Sequence, residues 1–492
     1  MKIAHTIASL LIAGCCFAAS GGAQDTLRLS LHEAVLIALE RNPTFAIQRL
    51  RPSIMEAALS EQVAAFEPTL SASVTSDKSH VQRFLGARPE PFEMTSQRVG
   101  YGAGLSQLLP TGTTLAVDVG MSGSTSSIYL PQYSGNVGVT VSQALLRGFG
   151  LGANLISVRS ASIDVEISRH ELKAMAERLV QEVEASYWGL YLAAQELSIQ
   201  EQSLNLAQRQ LEESQERVAV GKLAELELAS VRAEVARRRS AVIDAQSRYE
   251  QARLNLLYLL NPGQGVSWST TLAPLDRPLV TPDSLGAVEL HEELALRYRP
   301  DIAQARLAYR RGELQVAYTK NGLLPRLDVF VTFGRTSYAR TFKEAAPDVQ
   351  SPFYSVNGGV TFQFPVVDAK ARAQLRRALK TREQLELALR NMEQLVQRDV
   401  RIAYADVLRT RQQIDASREA RLLQEKNLEA EVEKFRVGRS TNLLVLQVQR
   451  DLTSSQLSEV RATVDYLNAL ATLFVMEGTL LERRAIDVPP EL

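Results

Sequence analysis

Residues 217–260 read RVAVGKLAELELASVRAEVARRRSAVIDAQSRYEQARLNLLYLL, and the spacing of the apolar positions in this stretch decides the fold. They fall at Leu228, Val231, Val235, Val242, Ala245, Tyr249, Ala252, Leu256 and Leu259, with Arg238 taking one place in the stripe. Steps that alternate three and four keep one seam of a helix facing a partner, the pattern of a coiled coil. Working backwards through Val220-Gly221, a second stripe descends the preceding segment: Leu172, Met175, Leu179, Val183, Tyr187, Leu190, Ala194, Leu197, Leu204, Leu211 and Val218. No proline interrupts either arm between Asn154 and Leu260. At about 1.5 Å per residue the first arm spans about 100 Å. No ordinary globular domain uses such a helix, so the sequence predicts an elongated structure.

The same pattern returns later in the chain. Val183, Tyr187, Val220, Gly221, Tyr249, Ala252 and Leu256 reappear as Val400, Tyr404, Val437, Gly438, Tyr466, Ala469 and Leu473, a constant separation of about 217 residues. Arg299-Pro300 likewise repeats Asn42-Pro43, and Pro325 repeats Pro68. The chain of 492 residues is therefore read as two copies of one unit, residues 24–260 and 286–481, joined by a Pro/Gly/Ser/Thr-rich linker over 261–285 and followed by a short tail, 482–492.

Between the helices the period changes from 3.6 to 2. Leu70, Ala72 and Val74 alternate with Ser71, Ser73 and Thr75, which predicts a strand with one apolar and one polar face. Three more strands follow around Val99–Leu105, Leu115–Met121 and Tyr133–Gln143, with a turn at Pro110-Thr111-Gly112. The second half has room for one hairpin only, Leu327–Phe333 with Val356–Phe364, so the hairpin at 99–121 is an insertion that either widens a strand wall or projects beyond it. Leu27–Leu39 is expected to be a short amphipathic helix, and Pro43 to open another, with Asn42 as its cap.

Composition narrows the class. Lys and Arg total 55 and Asp and Glu total 55, which gives no electrostatic case for nucleic acid. The two cysteines, Cys15 and Cys16, sit inside an N-terminal segment with Lys2, an apolar run and small residues up to Ala23-Gln24, the form of a secretory signal peptide. Two processing routes are open: cleavage after Ala23, or cleavage at Ile12-Ala13-Gly14-Cys15 with lipidation of Cys15 (residues 1–23 or 1–14). Past this segment no run of 18 apolar residues occurs, which excludes a conventional transmembrane helix but not a barrel of alternating strands.

Leu31 to Pro43, Arg299-Pro300-Asp301, Leu324-Pro325 and the paired tips Arg217-Val218-Ala219-Val220-Gly221 and Phe435-Arg436-Val437-Gly438 resemble the TolC family of outer-membrane efflux proteins. Together they follow the two-copy order of strand hairpin, long helix, Val-Gly tip and returning helix. The resemblance implies a mainly α fold with membrane β-strands, a homotrimer sharing one β-barrel continued by an α-helical tunnel in the periplasm, and no cofactor. It also implies an exit duct for small molecules or proteins, working with a periplasmic adaptor and an inner-membrane pump or ABC transporter, and set in outer-membrane lipid. The adaptor-docking candidates are Val220, Gly221, Val437 and Gly438. Acidic residues soon after the second glycine line the pore tip in this family, but here those positions are Leu444 and Gln447. The lining candidates are therefore Glu225, Glu227, Arg439, Asn442 and Gln447.

Other readings fit fewer residues. A soluble adaptor or scaffold with a coiled-coil hairpin accounts for one helical hairpin but not for two flanked by amphipathic strands. An exported hydrolase lacks a nucleophile–base set. Gly148-Phe149-Gly150-Leu151-Gly152 lacks the spacing of a dinucleotide loop and is read as a strand-to-helix turn. The histidines (His5, His32, His80, His170, His291) have no metal-ligand spacing and are read as surface residues. Tyr187 and Tyr404 are read as packing, and Arg237-Arg238-Arg239 as a solvated face or tunnel lining.

Overall fold

A computed structural model describes residues 26–84, 90–128, 130–221, 224–261, 268–280, 285–347 and 351–486. The signal segment with Cys15, and parts of the linker and tail, lie outside these residues. The first half runs β1 (Thr26–Leu29), α1 (Leu31–Arg41), α2 (Pro43–Ala64), β2 (Thr69–Arg83), β3 (Phe92–Leu108), β4 (Thr113–Ser126), β5 (Gln132–Ala144), α3 (Leu151–Asn154), α4 (Ile156–Ala219) and α5 (Glu225–Leu260). The second runs β6 (Thr271–Pro274), α6 (Val288–Tyr298), α7 (Pro300–Gly322), β7 (Arg326–Ala339), β8 (Tyr354–Gln363), α8 (Ala369–Arg436), α9 (Asn442–Glu477) and α10 (Leu480–Arg483). The compact units cut across this order. One, the helical unit, draws on residues up to Asn42, Val180–Pro282 and Arg409–Asn468; the other, the sheet unit, takes Pro43–Leu179, Asp283–Leu408 and Ala469 onward.

In the helical unit the predicted seams form. Leu228, Val231, Val242, Ala245, Leu256 and Leu259 are buried along α5, as are Val183, Tyr187 and Leu190 on α4. Arg238 departs from the solvated or lining role: it is 7% exposed, and its Nε donates to Glu234, itself 1% exposed, at 2.9 Å. Arg237 meets the other Glu234 oxygen at 2.8 Å, and Arg238 Nη1 reaches Thr453 Oγ1 at 3.4 Å. A charge can occupy a seam position only when so paired.

Two expectations near the N-terminus and in the linker change. The described residues begin with a strand rather than a helix, because Thr26–Leu29 pairs in parallel with Thr271–Pro274 from the linker. Helix α1 starts at Leu31 behind a capping box, in which Ser30 Oγ accepts from Glu33 N and Glu33 accepts from Ser30 N. Asn42 is buried, and its side chain donates to Leu259 O at 3.1 Å, meeting one of the carbonyls left open at the end of α5. The strand pair is fixed by Tyr187, whose hydroxyl donates to Leu29 O at 3.0 Å. In the sheet unit Tyr404 donates likewise to Gly286 O at 3.1 Å. Leu29 and Gly286 stand apart by the same spacing as Asn42 and Arg299, so each tyrosine bonds a carbonyl at the equivalent position of its copy.

The sheet unit holds six antiparallel strands in the order β2-β3-β4-β5-β7-β8. The hairpin at 99–121 thus lies within the sheet, between β2 and β5, and adds to it. At the foot of β5, Gly148 (φ +81°) and Gly150 (φ +80°) turn the chain into the helices, and the Asn154 amide donates to Pro110 O, Gly148 O and Gly150 O. His291 is not on the surface. It is 7% exposed against the fully buried Glu477, and its Nδ1 bonds to Glu477 Oε1. Arg483 and Thr479 donate to the other carboxylate oxygen at 3.0 and 2.8 Å.

Glu177, on α4, is 2% exposed, and one of its oxygens has no hydrogen-bond partner. Burial pushes its carboxyl up from 4.5 to about 7; Lys173 opposes this, Glu482 and Asp301 add to it, and Arg299 opposes it weakly. Between about pH 4.5 and pH 7 the unfolded chain has released this proton and the folded chain retains it, so stability falls as pH rises through that window. Glu177→Gln is expected to stabilise the protein at pH 8 by up to about 3 kcal/mol and to change little below pH 4.5. Melting curves of both forms from pH 4 to 8 check this; a constant gap contradicts it.

Candidate functional site: the two-faced sheet and the helical tips

The strand registers align whole rows of side chains. One row runs Leu70, Leu105, Val117, Val139, Phe333 and Val356 across all six strands. The next runs Ser71, Gly104, Asp118, Gly138, Gly334 and Ser355. Because side chains alternate faces along a strand, one face is apolar and the other small or polar. On the polar face Asn136 donates to Asp118 at 3.1 Å, and Thr140 bonds to Thr332 at 3.0 Å.

The apolar row is not covered. Leu70 is 76% exposed, Val356 59%, and none of the six is below 40%. A soluble sandwich buries such a face against a second layer. A strand wall that keeps its apolar face open and its polar face opposite matches what lipid outside and water inside require. Toward one end of the apolar face, Phe342, from the β7–β8 connection, packs edge-on against Tyr101 at 5.4 Å and Tyr133 at 5.8 Å. Aromatic residues of this kind gather where a membrane meets water. Beyond Tyr101, β2 and β3 stay paired from Ser76–Val99 to Arg83–Phe92, a stretch carrying Asp77, Lys78, Ser79 and His80.

The tips lie in the helical unit. Gly221 (φ +73°) and Gly438 (φ +77°) both take the left-handed conformation that ends a helix, and a Cβ at either would meet nothing within 4 Å. Val220 and Val437 beside them are 67% and 66% exposed. The two hairpins touch here, for the Arg217 guanidinium stands 5.4 Å over the Phe435 ring, and Gln210 donates to Asn442 Oδ1 at 2.6 Å. Asn442 is 4% exposed and so joins the hairpins rather than facing an opening. Arg439, Gln447, Glu225 and Glu227 are exposed. Both glutamates sit in the first turn of α5, where the helix dipole favours acids. Leu226 between them (85% exposed) and Leu443 (61%) are tip residues that sequence reasoning did not single out, and Leu444, which stands at one of the family's acidic positions, is 46% exposed. Their signal in the sequence is an apolar residue outside the seam, next to a helix-ending glycine.

The sequence profile described as "Outer membrane efflux protein" matches residues 35–262 and 293–479. The chain belongs to the outer membrane efflux protein family. It is similar to the pyoverdine export outer membrane protein OpmQ of Pseudomonas putida, at 29% identity over 65% of this chain and 66% of that protein, and so spans just under two thirds of that relative. A crystal structure of a membrane protein from Pseudomonas aeruginosa superposes with a TM-score of 0.70 at 20% identity, covering 91% of this chain and 90% of that one. The CmeC outer membrane channel of Campylobacter jejuni gives 0.65 at 14% identity, covering 93% and 90%.

The outer membrane efflux proteins are a family of channels rather than enzymes. The TolC-like fold expected from the tips and repeats is the fold observed. No helix among the described residues is long and apolar enough to cross a membrane. The two-faced sheet is the part of the chain suited to lipid.

Proposed function

We propose that this chain is the exit duct of a tripartite efflux or type I secretion system, a passive path for small molecules or proteins that performs no catalysis and holds no cofactor. The observation that carries this reading is the row Leu70–Val356, six apolar side chains exposed across six strands with a polar row beside it. In this reading the protein is a homotrimer. The repeats at 24–260 and 286–481 each supply strands to a shared barrel and a helical hairpin to a tunnel in the periplasm. Val220, Gly221, Val437 and Gly438 receive a periplasmic adaptor that links the duct to an inner-membrane pump or ABC transporter. Glu225, Glu227, Arg439 and Gln447 are the exposed polar groups available to line the tip.

The test is deletion of the gene followed by complementation. Cells without the protein are expected to retain exported compounds or proteins that the complemented strain releases. Crosslinking in the complemented strain is expected to capture an adaptor, and native mass measurement in detergent to give three chains. Unchanged export together with a monomer soluble without detergent contradicts the proposal.

A further inference from the structure

The apolar face of the sheet ends on cations where the strands give way to helices. Along β5, Val137, Val139, Val141 and Gln143 take alternate positions on that face. Backbone bonds from Leu145 N to Leu327 O at 2.7 Å and from Arg147 N to Pro325 O at 3.2 Å carry the same ladder past the end of the strand. The column therefore continues through Leu145 and stops at Arg147, whose Nε donates to Leu324 O at 2.8 Å. On β8 the apolar positions Val356, Val360 and Phe362 lead to Phe364, Val366 and Val367, all exposed.

At the foot of this face, Arg147, Lys370 and Arg377 line an open cavity of about 750 Å³ between α3, the end of α7 and the start of α8. Asp368 is the one acid in the lining, and its Oδ1 already accepts from Ala371 N at 3.2 Å. Nearby, Arg326 pairs with Asp328 at 2.6 Å and Lys380 with Glu383 at 2.7 Å. Among the described residues Arg147, Lys370 and Arg377 form no ion pair of this kind. Lys370 also stands in the first turn of α8, which holds no acid and where the helix dipole disfavours a cation. Its charge does not serve the helix. Gln374 and Thr381 add neutral polar groups to a lining that is net positive.

We infer that this cavity holds the headgroup of an anionic phospholipid, with the phosphate against Arg147, Lys370 and Arg377 and the acyl chains along the apolar face. The inference rests on the reading that the sheet stands in lipid. Arginine presents a fork of donors that fits two phosphate oxygens, and basic pockets at headgroup level select anionic lipids by this chemistry. The volume lies within the range of small-molecule sites. A zwitterionic headgroup sets its ammonium among cations, and a free phosphate makes no use of Phe364, Val366 and Val367.

Native mass spectrometry of the purified full-length protein in neutral detergent tests the site, with phosphatidylglycerol, phosphatidylcholine of the same chains, or inorganic phosphate added. Phosphatidylglycerol is expected to bind saturably and about tenfold more tightly than phosphatidylcholine. Lys370→Gln combined with Arg377→Gln is expected to weaken that binding about 30-fold. Both side chains are exposed, so the fold tolerates the change. Arg372→Gln with Arg376→Gln removes two exposed cations of α8 outside the cavity lining, and is expected to weaken binding less than about threefold. Equal weakening by the two pairs assigns the effect to general surface charge and overturns the cavity site. Equal binding of the two lipids, or no effect of the first pair, overturns it and leaves the sheet in lipid. Inorganic phosphate bound as tightly as phosphatidylglycerol overturns the lipid as its source. A protein soluble without detergent that takes up neither lipid overturns the site and the membrane reading together.

Discussion

Gly438→Trp is expected to stop export while leaving the protein folded, assembled and in the outer membrane, and Gly221→Trp to act the same way. A first side-chain carbon at either position meets no atom within 4 Å, so the indole extends into open space. The left-handed backbone costs any substituted residue about 1 kcal/mol, which is small beside the buried seams of α4, α5, α8 and α9. What the indole does obstruct is the approach of another backbone to Val220 and Val437, both about two-thirds exposed. Loss of one close-packed contact at a docking centre costs about 2 kcal/mol or more, about 30-fold in affinity. Gly438→Ala is the control, with the same backbone strain and almost no bulk. Export by each variant, with trimer level and adaptor crosslinking, separates the outcomes. If the tryptophan variants export normally, the tips do not dock a partner; if trimer is lost, the glycines matter for folding.

Glu234→Ala is expected to destabilise the helical unit by about 3–5 kcal/mol, because it leaves the buried Arg238 guanidinium without its carboxylate. Thr453, at 3.4 Å, cannot supply the missing charge. Replacing both partners, as Glu234→Leu with Arg238→Met, removes the buried charges altogether and is expected to recover most of the loss. Thermal unfolding of the single and double variants measures the effect. A single variant as stable as the wild type means that the pair is solvated in the assembled protein.

The contrast between the seams and this ion pair marks how far the sequence could be read. Three-four spacing identified α4 and α5 because a buried stripe is a local property of one helix, and the φ of Gly221 and Gly438 follows from the need to end two helices within a few residues. Alternation identified the strands for the same reason. Pairing between distant segments has no such local signature. β1 and β6 are four residues each, too short to show a period, and they meet across most of the first repeat. His291 and Glu477 are 186 residues apart, so the partner that makes the histidine a buried group was not visible from its neighbours. Arg238 reads as one of three arginines on a wet face until Glu234 and Thr453 are seen beside it. At the tips, the glycines were legible, whereas the link from Gln210 to Asn442 joins separate hairpins and removes Asn442 from the exposed groups.

The central claim is that one face of the β2–β8 sheet meets lipid and the other meets water. Spin labels placed singly at Val117, Asp118, Val139 and Thr140 in the protein reconstituted in lipid test it most directly, through their accessibility to oxygen, which concentrates in the bilayer, and to a water-soluble nickel reagent. The account predicts high oxygen and low nickel accessibility at Val117 and Val139, and the reverse at Asp118 and Thr140. Equal accessibility at neighbouring positions, or nickel access at all four, contradicts it.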